Sequence, residues 1–488
     1  MIQPSEPSII AQTGVSGTMP AQSFIIASIM SQQQLNRTEK RAAFALASVF
    51  GIRMLGLFLI MPVMAIYAHE YPDYTPALMG IALGAYGLTQ AFFQIPLGML
   101  SDRIGRRPII VGGLLVFALG SMIAAQADSL VGVVVGRAVQ GIGAIAAAIL
   151  AMAADVSRDN QRSKVMAIIG MCIGLAFALA LIIGPLLADH IGLQGLFWFT
   201  AASALVGIGL LLVAVPKALT KSARREALPV ATELKHLVRH RQLWLLNGGV
   251  FVLHAVLTSW FISLPTLLAA HEVRTEYHAL FYLPTLVLSI ALMVPMIIHG
   301  AKTNQHVTWF RLSILLLMVG ATLITWWGAS LIVIAIALVV FFTGFNFLEA
   351  TLPSLLTRIA PAGSKGSASG IYSTCQFSGA FVGGALGGWL LQTYQLKGIG
   401  VASLAILALW FVLSRLMQNP KAVTNVVISL KGLEQQTLDQ FNDALLGISG
   451  VEEVRYAPDD ATSYLKVDKK QYDEHAVEAL IERHKSAQ

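Results

Sequence analysis

The sequence predicts an all-α membrane protein with twelve transmembrane helices in two six-helix bundles, followed by a small α+β domain. Three observations support this fold class. Of the 488 residues, 56% are hydrophobic and 12% are charged, whereas soluble domains carry about 25% charged residues. The apolar residues form runs long enough to cross a bilayer. The residues after Pro420 alternate between strand-like and helix-like patterns instead, and they are richer in Asp and Glu than in Lys and Arg.

Each apolar run is interpreted as a helix because lipid offers no hydrogen-bond partner to an open backbone group. A bilayer core of about 30 Å needs about 20 residues at a rise of about 1.5 Å per residue. The predicted spans cover residues 44–68, 76–97, 109–126, 129–154, 165–188, 195–216, 243–269, 278–300, 309–327, 330–356, 367–392 and 397–417.

The longest polar interruption, at residues 217–242, separates six spans from six. The predicted parts are a disordered cytoplasmic leader at 1–40, an N-terminal six-helix bundle at 41–216, a cytoplasmic linker at 217–242, a C-terminal six-helix bundle at 243–420 and a cytoplasmic domain at 421–488. For the Gln-, Ser- and Pro-rich leader, the alternative is sequence translated ahead of a start at Met30.

The distribution of positive charge predicts the orientation. Lys and Arg concentrate in the loops on one side of the predicted membrane, whereas the loops on the other side contain Arg274 and Lys397. The positive-inside rule then places both termini in the cytoplasm. The pI of about 9.4 follows from this topology, so it does not indicate a nucleic-acid partner.

The stretch GMLSDRIGRRPII, at residues 98–110, combines dense charge with glycine between the second and third spans. Glycine permits a tight turn, and a carboxylate at a membrane surface can pair with arginine or dock on a helix N-terminus. The alternative is that the arginines only bind lipid phosphates, which leaves the aspartate unexplained. The stretch resembles the signature loop of the major facilitator superfamily, and the matching residues are Gly98, Asp102, Arg103, Gly105, Arg106 and Arg107.

That resemblance implies a cytoplasmic gate that latches the outward-facing state. Asp102 would pair with Arg106 and lie near residues 366–369, and Asp155 would be the second acidic partner of Arg106. The corresponding loop of the second half, at 299–311, keeps Gly300 but has Asn304 near the place of the aspartate. One latch is therefore expected to be intact and its twin degenerate.

Two further stretches resemble patterns of the same superfamily. RAVQGIG (137–143) matches the fourth-helix pattern R-x-x-Q-G-x-G and places Arg137 inside the membrane. GLAFALALIIGPLLAD (174–189) resembles the helix-five motif of antiporters through Gly184 and Pro185, although Ala188 and Asp189 replace its usual glycines. The twelve spans, the stretches SVFGIRMLGLFLIMPV (48–63) and FNFLEATLPSLL (345–356), and a small ferredoxin-like tail occur together in this chain. From about residue 40 onward this combination resembles the YajR-type transporters of bacterial inner membranes, which implies proton-driven efflux.

Besides Arg137, the ionisable residues Arg53, His254 and Glu349 are singled out within predicted spans, where a charge is normally kept for pairing or function. Burial in an apolar medium raises the pKa of a carboxyl group, so Glu349 is the best proton-carrier candidate; its alternative is a structural pair with an arginine across the bundle. Arg53 is interpreted either as structural or as orienting the substrate. His254 is interpreted first as a hydrogen-bonded packing residue and second as a coupling residue.

The sequence of the tail predicts the element order βαββα, which is most of a ferredoxin-like unit. Strands are predicted at 422–430, 451–457 and 462–468, with helices at 434–446 and 472–484. Its first loop has no Cys or His, and Cys172 and Cys375 lie in apolar runs, so neither a metal nor another cofactor is expected. A regulatory, dimerising or ligand-sensing module is one reading and an inert appended domain is the other.

The leading functional prediction is a secondary active transporter that couples proton entry to export of a small amphiphilic molecule or drug. The expected partners are the lipid bilayer, protons and an unidentified small molecule. No G-x-x-x-x-G-K-S/T loop occurs, so a gradient supplies the energy. The alternatives are a transporter-derived sensor that signals through its tail and a proton-coupled importer; no nucleophile–base pair indicates an enzyme.

Overall fold

The computed structural model of the chain describes most residues from 35 onward. The described ranges are 35–157, 161–215, 237–303, 305–361, 364–419, 423–429, 438–457, 462–468, 471–477 and 479–480. Parts of three predictions lie outside these ranges. They are the leader at residues 1–34, Asn304 of the degenerate latch, and the tail at 430–437 and 481–488.

Helices dominate the described part. Their bounds are α1 Arg37–Tyr67, α2 Pro76–Ile104, α3 Arg106–Ala125, α4 Leu130–Ile142, α5 Ala146–Asp155, α6 Arg162–Ala214, α7 Arg241–Ala270, α8 His278–Thr303, α9 His306–Trp327, α10 Leu331–Ile359, α11 Lys365–Ser414 and α12 Leu438–Leu446. Within the described ranges, ten helical stretches are long and apolar enough to cross a membrane, counting α4 and α5 together.

Helices α6 and α11 are each broken by a single residue. They have 53 and 50 residues, and a straight helix of 50 residues would be about 75 Å long, more than twice the bilayer core. Gly192 in α6 has φ 64° and ψ −177°, and Gln395 in α11 has φ 57° and ψ −157°; a positive φ with an extended ψ cannot continue a right-handed helix. Each long helix therefore consists of two helical segments.

Two predicted boundaries need correction because local capping starts a helix earlier. Helix α1 begins at Arg37, inside the range predicted as leader, where the Asn36 side chain accepts the Glu39 N–H and the Glu39 side chain accepts the Asn36 N–H. Such a reciprocal capping box satisfies two open N–H groups at a helix start. Helix α7 begins at Arg241, inside the predicted linker, and the His240 side chain accepts its Leu243 N–H.

The two halves of the helical region have separate apolar cores and meet along α2 and α11. One set of buried residues lies between Ala43 and Val215 except for Ile262, and the other lies between Leu237 and Met417 except for Leu181. At Gly84, an added β-carbon would lie 2.8 Å from the carbonyl oxygen of Phe381. Only small residues permit helices to approach this closely, so the glycines of α2 and α11 allow the close contact between these two helices; α6 with α8 and α1 with α7 also touch across the halves.

The tail forms a small antiparallel sheet with one described helix. Strands β1 Val423–Ser429, β2 Val451–Ala457 and β3 Thr462–Asp468 lie in the order β1-β3-β2. The sheet and α12 share a core of buried side chains, among them Phe441, Leu445 and Leu465. Residues 474–477 and 479–480 are also helical, within the predicted last helix.

Candidate functional site

The 98–107 segment forms the junction of α2 and α3. Helix α2 ends at Ile104 and α3 begins at Arg106, so one residue makes the turn. That residue, Gly105, has φ 101° and ψ 154°, a conformation that side-chain-bearing residues rarely adopt. The sharp turn brings the last turn of α2 against the first turn of α3.

Arg106 connects the ends of three helices. Its Nε lies 3.2 Å from Asp155 Oδ2 at the end of α5, its Nη1 donates to Asp102 Oδ1 in α2, and the same nitrogen donates to Ser101 Oγ at 2.7 Å. The three charged side chains are only 10–14% exposed, so water screens these ion pairs weakly. Both ion pairs implied by the resemblance are present in the structure.

The other basic residues on this face have different surroundings. Arg107 Nη2 donates to the carbonyl of Val215, and Arg41 Nε donates to that of Ala214 at 3.1 Å. Both therefore cap the open carbonyls at the end of α6, where the helix dipole favours a cation. Arg103 is exposed. Docking of Asp102 on the start of α11 stays a prediction.

Arg53 lies mid-way along α1, where its side chain is 1% exposed. Its Nη2 donates to Tyr86 Oη at 2.6 Å, Gln90 Oε1 at 3.0 Å and the Gly143 carbonyl at 3.2 Å. The guanidinium carbon also lies 5.7 Å from the centre of the Tyr86 ring, within range of a cation–π interaction. Arg53 thus joins α1 to α2 and to the break between α4 and α5.

Arg137 in α4 lies on the same tyrosine. Its guanidinium carbon is 5.2 Å from the Tyr86 ring centre, and its Nη1 donates to Gln140 Oε1 at 2.9 Å. Gln140 Nε2 in turn donates to Ser121 Oγ at 2.7 Å. Tyr86 is therefore flanked by two buried arginines, and the R-x-x-Q spacing forms a hydrogen bond across one helical turn.

Glu349 and His254 meet near the middle of α10 and α7. His254 Nε2 lies 3.6 Å from Glu349 Oε2, and Gln376 of α11 donates through Nε2 to Glu349 Oε1 at 3.4 Å. The Glu349 side chain remains 38% exposed. Among the described residues Glu349 forms no ion pair with an arginine, which was the alternative interpretation; the ionisable side chain beside it is that of His254.

The hydrogen bonds of His254 assign its neutral tautomer. Gln376 Nε2 lies 2.9 Å from His254 Nε2, and His254 Nδ1 lies 3.2 Å from the Val250 carbonyl. A carbonyl only accepts, so Nδ1 carries the proton and Nε2 accepts from the amide as placed. A second proton on Nε2 would break the Gln376 bond and turn the imidazolium toward Glu349. The Gln376 amide and the Glu349 carboxylate therefore both lie close to the same ring nitrogen of His254.

The helix-five motif contributes packing. Gly184 of α6 lies against α1, where an added β-carbon would be 3.0 Å from the carbonyl oxygen of Leu59. Pro185 follows within the helix and leaves one carbonyl of the preceding turn without its usual helical donor. Asp189 and His190 are exposed. Within the described ranges, no three His, Cys, Asp or Glu side chains come together as a metal site.

Comparison with known proteins connects this geometry to a family. The model of the Major Facilitator Superfamily matches residues 46–384. The chain belongs to the major facilitator superfamily. It is therefore a membrane-spanning transporter, and the match extends from the first half into the second as far as residue 384, including the 98–107 segment, Arg53, Arg137 and Glu349.

Individual relatives refine the assignment. Inner membrane transport protein YajR of Escherichia coli (strain K12) is 38% identical over 456 residues, covering 93% of this chain and 99% of that protein, which supports a YajR-type transporter. Multidrug resistance protein MdtH of Aeromonas salmonicida is 24% identical over 70% of this chain and 85% of its own. A bacterial homolog of the human lysosomal transporter Spinster has the same fold, with a TM-score of 0.64, 14% identity and coverage of 78% and 97%.

The neutral polar partners Tyr86, Gln90 and Gln376 are not predicted from the sequence, and Gln140 is predicted only as part of the R-x-x-Q-G-x-G pattern, without its hydrogen bond to Arg137. A search for charged residues does not select neutral side chains, although a glutamine amide within a membrane span also needs a hydrogen-bond partner. The useful signal is the co-occurrence of buried Arg and Gln on neighbouring spans, which predicts that they bind each other.

Proposed function

We propose that this transporter is a proton-coupled antiporter of the bacterial inner membrane that exports a small amphiphilic molecule by alternating access. The breaks at Gly192 and Gln395 support twelve crossings, and the basic helix ends support cytoplasmic termini. The similarity to a multidrug resistance protein supports export rather than import. The βαββ order of the tail and its β1-β3-β2 sheet support a ferredoxin-like domain.

The observation that carries the proposal is the Glu349–His254–Gln376 cluster. It joins α10, α7 and α11, and its one carboxylate remains partly accessible. When a proton reaches His254, its Nε2 exchanges Gln376 for Glu349; when Glu349 takes the proton, the ion pair is lost and Gln376 is free to return. The two arrangements draw the three helices together differently, which biases a two-state equilibrium.

The test compares wild type with Glu349→Gln in an efflux-deficient bacterial strain at matched membrane expression. Growth inhibition is measured over a panel of toxic compounds, followed by substrate-dependent pH change in vesicles. We expect protection by the wild type and loss of at least about tenfold in export by the variant, as for loss of an essential proton carrier. Glu70→Gln, an exposed carboxylate beyond the end of α1, is the matched control.

The outcomes of this experiment distinguish the proposed function from its alternative. Equal protection by Glu349→Gln contradicts its role as the proton carrier. Protection by none of the three forms contradicts export and favours the transporter-derived sensor. That second candidate has its own support, because a tail lysine contacts the end of α10: Lys466 Nζ lies 3.2 Å from the Ala360 carbonyl oxygen.

A further inference from the structure

Arg53 and Arg137 place two positive charges inside the first half without a carboxylate partner. Each is 1% exposed, and among the described residues neither takes part in an ion pair. An arginine at the centre of a membrane helix costs about 2.5–3.5 kcal/mol on insertion scales. A pair of such charges surrounded by neutral groups has a strong affinity for negative charge.

The hydrogen bonding of Arg53 is also incomplete. Among the described residues, all three of its hydrogen bonds come from Nη2, while Nε and Nη1 are buried with no partner there. The amide nitrogen of Gln90, whose oxygen accepts from Arg53, is equally without a partner. Three nitrogens with donor capacity therefore lie unused beside one positive charge. Buried donors are normally satisfied, so this cluster lacks an acceptor.

The position of the cluster relates it to the transport path. Tyr86, which bonds Arg53 and lies under Arg137, packs edge-on against Phe377 of α11 with ring centres 6.2 Å apart. Phe377 belongs to the second half, and the contact between α2 and α11 has to change as the halves rock. Withdrawal of Phe377 would uncover Tyr86 and open a way to the arginines.

We infer that Arg53, Gln90 and Arg137 form a binding site for a small anionic group, either a carboxylate on the transported molecule or a free halide. The anion accepts from the unused nitrogens of Arg53 and Gln90, and Arg137 contributes the second positive charge. The inference rests on the proposed function for the access route, and it gives that function a substrate class: the cargo carries, or travels with, a negative charge.

The direct test is equilibrium binding to the full chain in lipid nanodiscs at low ionic strength, read as ligand-dependent thermal stabilisation. The probes are sodium chloride and the sodium salts of acetate, benzoate and octanoate, each carboxylate paired with its neutral amide. Stabilisation by a carboxylate but not by its amide supports a carboxylate ligand, and stabilisation by chloride alone supports a free halide. Equal effects of acid and amide, or no effect of any anion, overturn the inference.

Two variants test the site itself. Gln90→Glu places a carboxylate next to Arg53 as an internal anion, so it should keep or raise the ligand-free melting temperature and remove the anion-dependent shift. Arg53→Gln should weaken anion binding about ten- to a hundredfold, as expected for loss of a charged hydrogen-bonding group. Gln126→Glu, the same change at an exposed position, should keep the shift. A full shift in Gln90→Glu would locate the anion elsewhere and overturn the assignment.

Failure here is separable from failure of proton-coupled export. Glu349→Gln should bind anions like the wild type, since Glu349 belongs to the second half. Export that depends on Glu349 without any anion binding would leave the proposed function standing and overturn only this inference. Anion binding without Glu349-dependent export would support the anion site and contradict the proposed function.

Discussion

Arg106 shows how one side chain stabilises a helix junction. Its two carboxylate partners differ in what they connect: Asp102 lies one turn away across the Gly105 bend, whereas Asp155 lies on α5, 49 residues along the chain. Loss of the first therefore changes a local turn, and loss of the second disconnects α3 from α5. Removing one partner of a largely buried ion pair is destabilising, because the remaining charge stays partly buried without its partner.

Replacement of Asp155 by Asn should open this junction more than replacement of Asp102 by Asn. We expect the open population to rise about 5- to 150-fold, corresponding to about 1–3 kcal/mol. The reporter is Ala153→Cys, a position with 0% exposure on α5, in a background where Cys172 and Cys375 are replaced. Its labelling rate with a soluble maleimide measures opening.

The matched control for this experiment is Asp128→Asn, an exposed aspartate between α3 and α4, which should leave the labelling rate unchanged. Labelling of the Asp155→Asn protein at the parent rate would show that the Arg106 ion pairs do not close the junction, and the gate prediction for residues 98–107 would lose its structural basis.

At the scale of the helices, the start of α4 is capped by a side chain from the loop between α1 and α2. The carboxylate of Asp73, between α1 and α2, accepts the backbone N–H of Leu130 at 2.6 Å and that of Val131 at 3.0 Å. These are open N–H groups at the start of α4, the positive end of its dipole. The two backbone hydrogen bonds lower the pKa of Asp73 below its ordinary value.

This capping contact should make the stability of α4 depend on pH. A carboxyl whose pKa is lower in the folded state stabilises the fold above its unfolded pKa of about 3.9 and loses that effect as the pH falls through the folded value. The wild type should therefore melt at a higher temperature than Asp73→Ala at pH 6, with the difference shrinking below about pH 4.

Asp73→Asn separates charge from hydrogen bonding, because asparagine keeps an acceptor oxygen but does not titrate. Its difference from Asp73→Ala should be independent of pH between 6 and 3. A wild-type advantage over both variants that stays constant down to pH 3 would contradict the titration of Asp73 as its cause.

Hydropathy predicted the existence of the helices better than their ends and breaks. The apolar runs correspond to the observed helices because burial in lipid leaves the backbone no alternative. The starts of α1 and α7 were placed too late, since Asn36, Glu39 and His240 act through hydrogen bonds that an apolar average does not register. Gln395 adopts φ 57° without being a glycine, and no local signal in the sequence predicts that conformation.

The candidate sites also differ in how much of them the sequence predicts. A compact motif predicted the Arg106 ion pairs, because their residues lie in one junction or at a nearby helix end. The Glu349–His254–Gln376 cluster required three helices to be brought together, which depends on packing between distant segments. Periodicity alone does not supply that information, so the residues were singled out by charge while their mutual contact was not predicted.

At the scale of the whole molecule, a lysine of the tail contacts the helical region. Lys466 of β3 donates from Nζ to the carbonyl of Ala360 at 3.2 Å and to that of Ile359 at 3.4 Å. These are the last carbonyls of α10, at the negative end of its dipole. Burial lowers the pKa of Lys466, and the attraction of Glu453, 4.0 Å away, opposes that shift.

This contact ties the tail to the helix that carries Glu349, so its loss should free the tail. Lys466→Met keeps the apolar stem but removes the charge, and a cation at a helix C-terminus contributes about 0.3–2 kcal/mol. Spin labels at Thr357 and Gln471, both exposed, should report one narrow distance in the cysteine-free parent. The distribution should broaden in Lys466→Met and stay narrow in Lys466→Arg and in the control Lys397→Met.

The same variants then decide between an appended and a regulatory tail. If the tail biases α10, Lys466→Met should change Glu349-dependent export while Lys466→Arg leaves it as in the wild type. A freed tail with unchanged export would show that the contact holds the domain in place without regulating transport. A narrow distance in Lys466→Met would instead mean that other contacts seat the tail on the helical region.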